Sequence, residues 1–131
     1  MIANRITNVS GSSNYFERGV VTYSNQSKTE LLGVPKELIE KHGAVSKEIA
    51  EAMASGVRNT ANTDIGISTT GIAGPTGGTP EKPVGLIWIG YSDTHETFAM
   101  KFLFGNERLR FKERASQAAL DILRRRILKI T

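Results

Sequence analysis

A hydroxyl becomes a useful nucleophile only when a base takes its proton, and a lysine can be that base if burial or neighbouring cations lower its proton affinity. Ser13, Tyr23 and Lys28 lie close together in this sequence and supply both groups, with a phenol that can relay a proton or position the amine. Each also has a plainer reading: Ser13 as a turn residue, Tyr23 as a half-buried strand aromatic, Lys28 as a solvated helix charge. A second candidate is the run from Thr70 to Gly78, Thr-Gly-Ile-Ala-Gly-Pro-Thr-Gly-Gly. Its glycines let backbone N–H groups turn toward an anion without obstruction by Cβ. No Gly-Lys-Ser/Thr follows, so it is not a Walker A loop, and it lacks the GxGxxG of a dinucleotide fingerprint. Glycine and proline mark turns of every kind, so a surface turn with no ligand is the alternative. Its length favours a function.

The surrounding elements must position these groups. Ile2, Ile6 and Val9 are at helical spacing, so residues 1 to 9 read as the last turns of a helix. Gly11 to Asn14 is a turn, and the β-rich stretch from Phe16 to Ser24 reads as a strand. Ser13 and Lys28 therefore flank a predicted strand, and meet only if the turn before it folds back toward the helix after it. That helix runs from Ser27 to Leu32 and closes on Gly33; Pro35 opens a second at its first position, and Ser46 caps a third with an apolar stripe of Ile49, Ala50, Met53, Ala54 and Val57. Asp64 to Thr69 is a strand running into the Gly/Pro-rich segment that ends at Pro83. Val84 to Tyr91 and Glu96 to Phe104 form a hairpin, and an amphipathic helix spans Glu107 to Leu128. Strands alternating with helices predict an α/β fold, a mixed sheet with helices covering both faces.

The bulk numbers narrow the function. A chain of 131 residues with 39% hydrophobic and 23% charged residues is one ordinary soluble domain, spanning residues 1–131. There are no cysteines, which excludes disulfides, thiolate nucleophiles and Cys-ligated zinc. His42 and His95 lie far apart without ligand spacing, so no metal site is expected. The charge of +4 and a pI near 9.6 raise the possibility of a polyanion partner. The densest basic run, Arg124-Arg125-Arg126, instead falls in the last turns of a predicted helix, where cations complement the macrodipole, and no aromatics interleave with it. Neither nucleic acid nor membrane is expected as a partner, and the absence of a signal peptide in the first residues points to the cytoplasm.

The segment from Gly11 to Lys28, followed by Leu32-Gly33-Val34-Pro35, His42-Gly43-Ala44-Val45-Ser46 and Thr70-Gly71-Ile72-Ala73-Gly74-Pro75 through Gly85, resembles the CinA C-terminal domain family over almost the whole chain. Characterised members of that family are nicotinamide-nucleotide amidases, which convert nicotinamide mononucleotide to nicotinate mononucleotide and ammonia without metal or cofactor. The resemblance implies a three-layer α/β/α sandwich. It places the serine nucleophile on Ser13, the tyrosine on Tyr23 and the lysine on Lys28. Thr70 and the loop residues Gly71, Ala73, Gly74, Gly77 and Gly78 are implied to hold the nucleotide. The family's arginine near the start of the last helix falls on Arg108, with Arg110 competing, because Gly105-Asn106-Glu107-Arg108 is one residue longer than the usual Gly-Asp-Arg. Family members also carry, before the equivalent of Ile2, a strand and a Thr/Leu-Ala-Glu-Ser-Cys-Thr-Gly-Gly segment not found in this sequence. An N-terminally short domain of this kind is expected to cover its open edge by homo-oligomerisation. The rival expectation is a non-catalytic nucleotide-binding module that has lost turnover with that segment.

Overall fold

Leu86-Ile87-Trp88-Ile89-Gly90-Tyr91-Ser92 is nearly all buried, as befits a central strand pressed on both faces. In the computed structural model, which describes residues 1–129, this strand is the middle of a sheet of order β1-β2-β3. The elements run α1 (Ile2–Thr7), a 3₁₀ turn (Ser12–Asn14), α2 (Asn25–Leu32), α3 (Lys36–His42), α4 (Lys47–Ala61), β1 (Gly66–Gly71), β2 (Leu86–Ser92), β3 (Thr97–Leu103) and α5 (Arg108–Leu128).

Side chains alternate across β2, and each face takes its own helix. Ile87, Ile89 and Tyr91 cluster with Phe111, Ala115, Ala119 and Ile122 of α5. The opposite face meets α4. There, Ser68 Oγ donates to the Ala50 carbonyl at 2.6 Å. A Cβ added at Gly66 or Gly90 would run into the backbone of Ala54 or Ala50, so these glycines let α4 lie directly on the sheet. Beyond α4, Leu32, Val34, Ile39, Ile49 and Met53 form a second apolar cluster that docks α2 and α3. Fully burying side chains of this size contributes about 1.5–3 kcal/mol each. Helices therefore cover both faces, as the alternation of elements predicts.

The sheet itself departs from the expectation of mixed pairing. Both pairings are antiparallel, with Ser68 opposite Gly90 and Ile89 opposite Met100. Parallel pairing needs a strand reached through a crossover connection, and among the described residues no such strand joins the sheet. The segment expected to be a strand, residues 16–24, has no regular secondary structure and pairs in no ladder among the described residues. Val21 and Tyr23 are 83% and 86% exposed. A run of β-branched and aromatic residues is stabilised as a strand only by hydrogen bonds and cross-strand packing from a neighbour, and among the described residues no strand pairs with it.

Local signals act where their chemistry is used. Ser24 Oγ accepts the Ser27 N–H at 3.0 Å, which starts α2 at Asn25, two residues before the expected start. Gly33 closes that helix at φ 70°, and Ser46 caps α4 through the Ile49 N–H. Pro35 is the residue before α3 rather than its first. In the β2–β3 turn, Asp93 Oδ1 accepts the N–H groups of His95 and Glu96.

Candidate functional site

The loop between β1 and β2 is an organised extension of their hairpin. Ile72 N–H donates to the Leu86 carbonyl at 2.9 Å and Gly85 N–H to the Ile72 carbonyl at 2.7 Å, closing its base. Gly74 and Gly77 have φ of 77° and 96°, in the region glycine alone enters without cost. A Cβ at Gly78 would press on the backbone N of Val84, so the two limbs of the loop approach closely there. Thr70, the last residue but one of β1, donates its hydroxyl to the Ala44 carbonyl at 2.7 Å. Its hydroxyl thus ties the strand to the α3–α4 corner, and Gly71 ends β1 beside it.

Arg108, first residue of α5, spans the space above this loop. One guanidinium nitrogen donates to the Gly74 carbonyl at 3.1 Å and the other to the Tyr23 hydroxyl at 3.2 Å. Arg110 points elsewhere and pairs with Glu107 at 3.7 Å. Of the two competing arginines, Arg108 is the one that touches the loop and the tyrosine.

Lys28 is buried to 6% exposure in α2, and its ammonium donates to the Thr22 carbonyl at 2.7 Å. It has no carboxylate partner among the described residues. Loss of hydration therefore holds its proton affinity below that of an ordinary lysine. Thr22 is buried while Tyr23 beside it is exposed, so the chain presents its carbonyl inward and the phenol outward.

Ser13 lies exposed in the 3₁₀ turn after Gly11, whose φ is 86°. No hydrogen bond joins it to Tyr23 or Lys28 among the described residues. The N–H groups of Asn14, Tyr15 and Phe16 are used inside the turn, on the carbonyls of Gly11 and Ser12. The structure thus gathers Tyr23, Arg108 and Gly74 by direct contacts, places Lys28 one residue removed through Thr22, and leaves Ser13 outside that network. Sequence reasoning missed Lys82, whose ammonium donates to the His42 carbonyl at 2.7 Å and ties the loop to α3. A lone cation inside a Gly/Pro-rich run was the available signal.

The model of the CinA C-terminal domain matches residues 1–127. The chain belongs to the CinA C-terminal domain family. Among curated relatives of this family, a putative competence-damage inducible protein of Caldicellulosiruptor saccharolyticus is 53% identical over 98% of this chain and 31% of its own length. A CinA-like protein of Kosmotoga olearia is 49% identical over 99% of the chain and 32% of its own. The chain thus spans about a third of the curated relatives it matches. Among solved structures, the competence/damage inducible protein CihA from Agrobacterium tumefaciens superposes with a TM-score of 0.90 at 35% identity, covering 93% of this chain and 75% of that one. A competence-damaged protein (CinA) superfamily protein from Escherichia coli gives 0.88 at 27% identity, over 93% and 71%. No helix among the described residues is long and apolar enough to cross a membrane.

Proposed function

We propose that this domain is an amidohydrolase that deamidates nicotinamide mononucleotide to nicotinate mononucleotide and ammonia. The observation that carries the reading is Lys28, a buried amine with no carboxylate partner among the described residues, its proton affinity lowered by desolvation, bonded to the Thr22 carbonyl next to Tyr23, whose hydroxyl meets Arg108. Membership of the CinA C-terminal domain family supports it. In the first half-reaction Ser13 Oγ bonds to the carboxamide carbon while its proton passes to neutral Lys28 Nζ, assisted by Tyr23. The tetrahedral adduct then breaks its C–N bond, the nitrogen takes the proton from Lys28, and ammonia leaves. Water attacks the resulting ester, gives one proton to Lys28 that passes on to Ser13 Oγ, and the acid released loses its remaining proton to solvent to give the carboxylate product. Arg108 and the N–H groups of the Thr70 to Gly78 loop hold the phosphate end. Catalytic hydrogen bonds in free enzymes are often open and close with substrate, and the mechanism requires this of Ser13 and Lys28.

The absence of a Ser13–Lys28 hydrogen bond favours one alternative, a nucleotide-binding module without turnover. Ammonia release from nicotinamide mononucleotide separates the two. Nucleotide binding by calorimetry with no ammonia above the uncatalysed rate establishes the module and rejects the amidase. A homo-oligomer completes the proposal, because among the described residues β1 and β3 each pair on one side only.

A further inference from the structure

Lys82 ties the returning limb of the β1–β2 loop to the end of α3. Its ammonium reaches the carbonyl of His42, the last residue of α3, at 2.7 Å. Helix C-terminal carbonyls lack intrahelical donors, and a lysine supplies one. The corner is shaped to admit it. Gly43 has φ of 78°, and a Cβ placed there would sit 2.7 Å from the Lys82 nitrogen. Thr70 donates to Ala44 in the same corner, so the end of β1 and the returning limb of the loop are moored to one short stretch of backbone.

The tie is transmitted along the chain. Thr79 N–H donates to the Lys82 carbonyl at 2.9 Å and Lys82 N–H to Thr79 Oγ1 at 3.0 Å, a reciprocal clasp. Whatever fixes Lys82 therefore fixes Thr79 and, directly before it, Gly77 and Gly78. On the other limb, Arg108 fixes Gly74 through its carbonyl. The glycines between these moorings have no Cβ to restrain them, so the orientation of their N–H groups depends on both ends being held.

We infer that Lys82 is a positioning residue for substrate binding, one that sets the Gly77–Gly78–Thr79 backbone by gripping the α3 carbonyl rather than by touching the reacting amide. This rests on the amidase reading for its substrate. The test compares the unaltered chain with Lys82→Met and Lys82→Arg, adding Gly43→Ala, which keeps the lysine but fills the space its ammonium occupies. Turnover of nicotinamide mononucleotide, melting temperature and amide hydrogen exchange are read on each. Lys82→Met should raise KM about tenfold with kcat within about twofold, the mark of lost ground-state and transition-state binding together. Exchange at residues 77–79 should accelerate while that of α4 does not, Lys82→Arg should restore most of the KM, and Gly43→Ala should shift KM in the same direction as Lys82→Met. An unchanged KM with unchanged exchange at 77–79 overturns the inference, as does a fall in kcat matched by a general loss of protection. If the unaltered chain releases no ammonia, the amidase reading fails by itself. Local exchange then decides Lys82: acceleration confined to the loop sustains its positioning role, and no acceleration rejects it.

Discussion

The two sides of the candidate site are built differently. Lys28 sits on a helix whose Leu32 is packed into a buried cluster, and it is 6% exposed; Tyr23, five positions earlier, is 86% exposed on irregular chain outside the sheet. The loop side resembles Lys28's: its base is closed by backbone hydrogen bonds and its limbs are moored by Lys82 and Arg108. The Ser13–Tyr23 side is held to the rest through the Thr22 carbonyl on Lys28 and the Tyr23 hydroxyl on Arg108. In the proposed mechanism Lys28 and the loop are thus preorganised, and Ser13 comes from an exposed segment outside the sheet. Segments of that kind open at low free-energy cost, so the proposed mechanism spends substrate binding energy on ordering it.

The largest expected effect tests whether the two sides act as a unit. Lys28→Met and Ser13→Ala should each lower kcat for nicotinamide mononucleotide by about 10²–10⁴-fold, and the double variant should lose little more, since groups in one proton-transfer unit are lost together. Additive losses in the double variant would separate serine from lysine.

Tyr23→Phe should lower kcat about tenfold to a hundredfold, as expected of a group that assists proton transfer. Because the residue is exposed, its melting temperature should barely move. A large fall in thermal stability would instead make the tyrosine part of the packing.

Acid–base behaviour sharpens the contrast further. Desolvation lowers the proton affinity of Lys28 in the folded chain from the ordinary 10.5. Between the lowered value and 10.5 the unfolded chain binds more protons, so stability should rise with pH across that window. Below the lowered value both states are protonated and the folded chain bears the burial cost of the charge. Denaturation midpoints of the unaltered chain and Lys28→Met over this range check the sign, since the variant should lose that slope. The activity profile should rise along a limb below 10.5 that the same substitution removes.

The smallest effect lies at the hinge between the two sides. Ser24→Ala removes the cap of α2 and should cost about 1 kcal/mol of stability, read as a shift in denaturant midpoint. Faster amide exchange at 25–28, with the sheet unaffected, would place that cost in the joint between Tyr23 and Lys28.

Elements whose stability is local were legible in the sequence. The caps at Ser46 and Gly33, the amphipathic stripe of α4, the hairpin turn at Asp93 and the long α5 depend on neighbours in the chain, and their period or capping chemistry is written there. Glycine and proline content also marked the β1–β2 loop, because backbone freedom belongs to the residue itself. The β2–β3 hairpin was legible too, and what failed was the pairing of one earlier segment. The Phe16–Ser24 stretch has the composition of a strand, yet a strand is a relation between two segments, and its residues alone do not specify whether a partner lies beside it. The expected mixed sheet failed for the same reason.

The chemistry divides in the same way. Residue types determined that Ser13, Tyr23 and Lys28 could carry a proton and a nucleophile, and that the chain has no thiol. Only the tertiary structure decided that Lys28 is buried with no carboxylate partner among the described residues, that Arg108 rather than Arg110 bridges Tyr23 and Gly74, and that Lys82 grips the end of α3. Burial and long-range hydrogen bonds are properties of the packed whole. The Arg108–Tyr23 contact joins residues 85 positions apart and the Lys82–His42 contact residues 40 apart, separations across which no local pattern carries information.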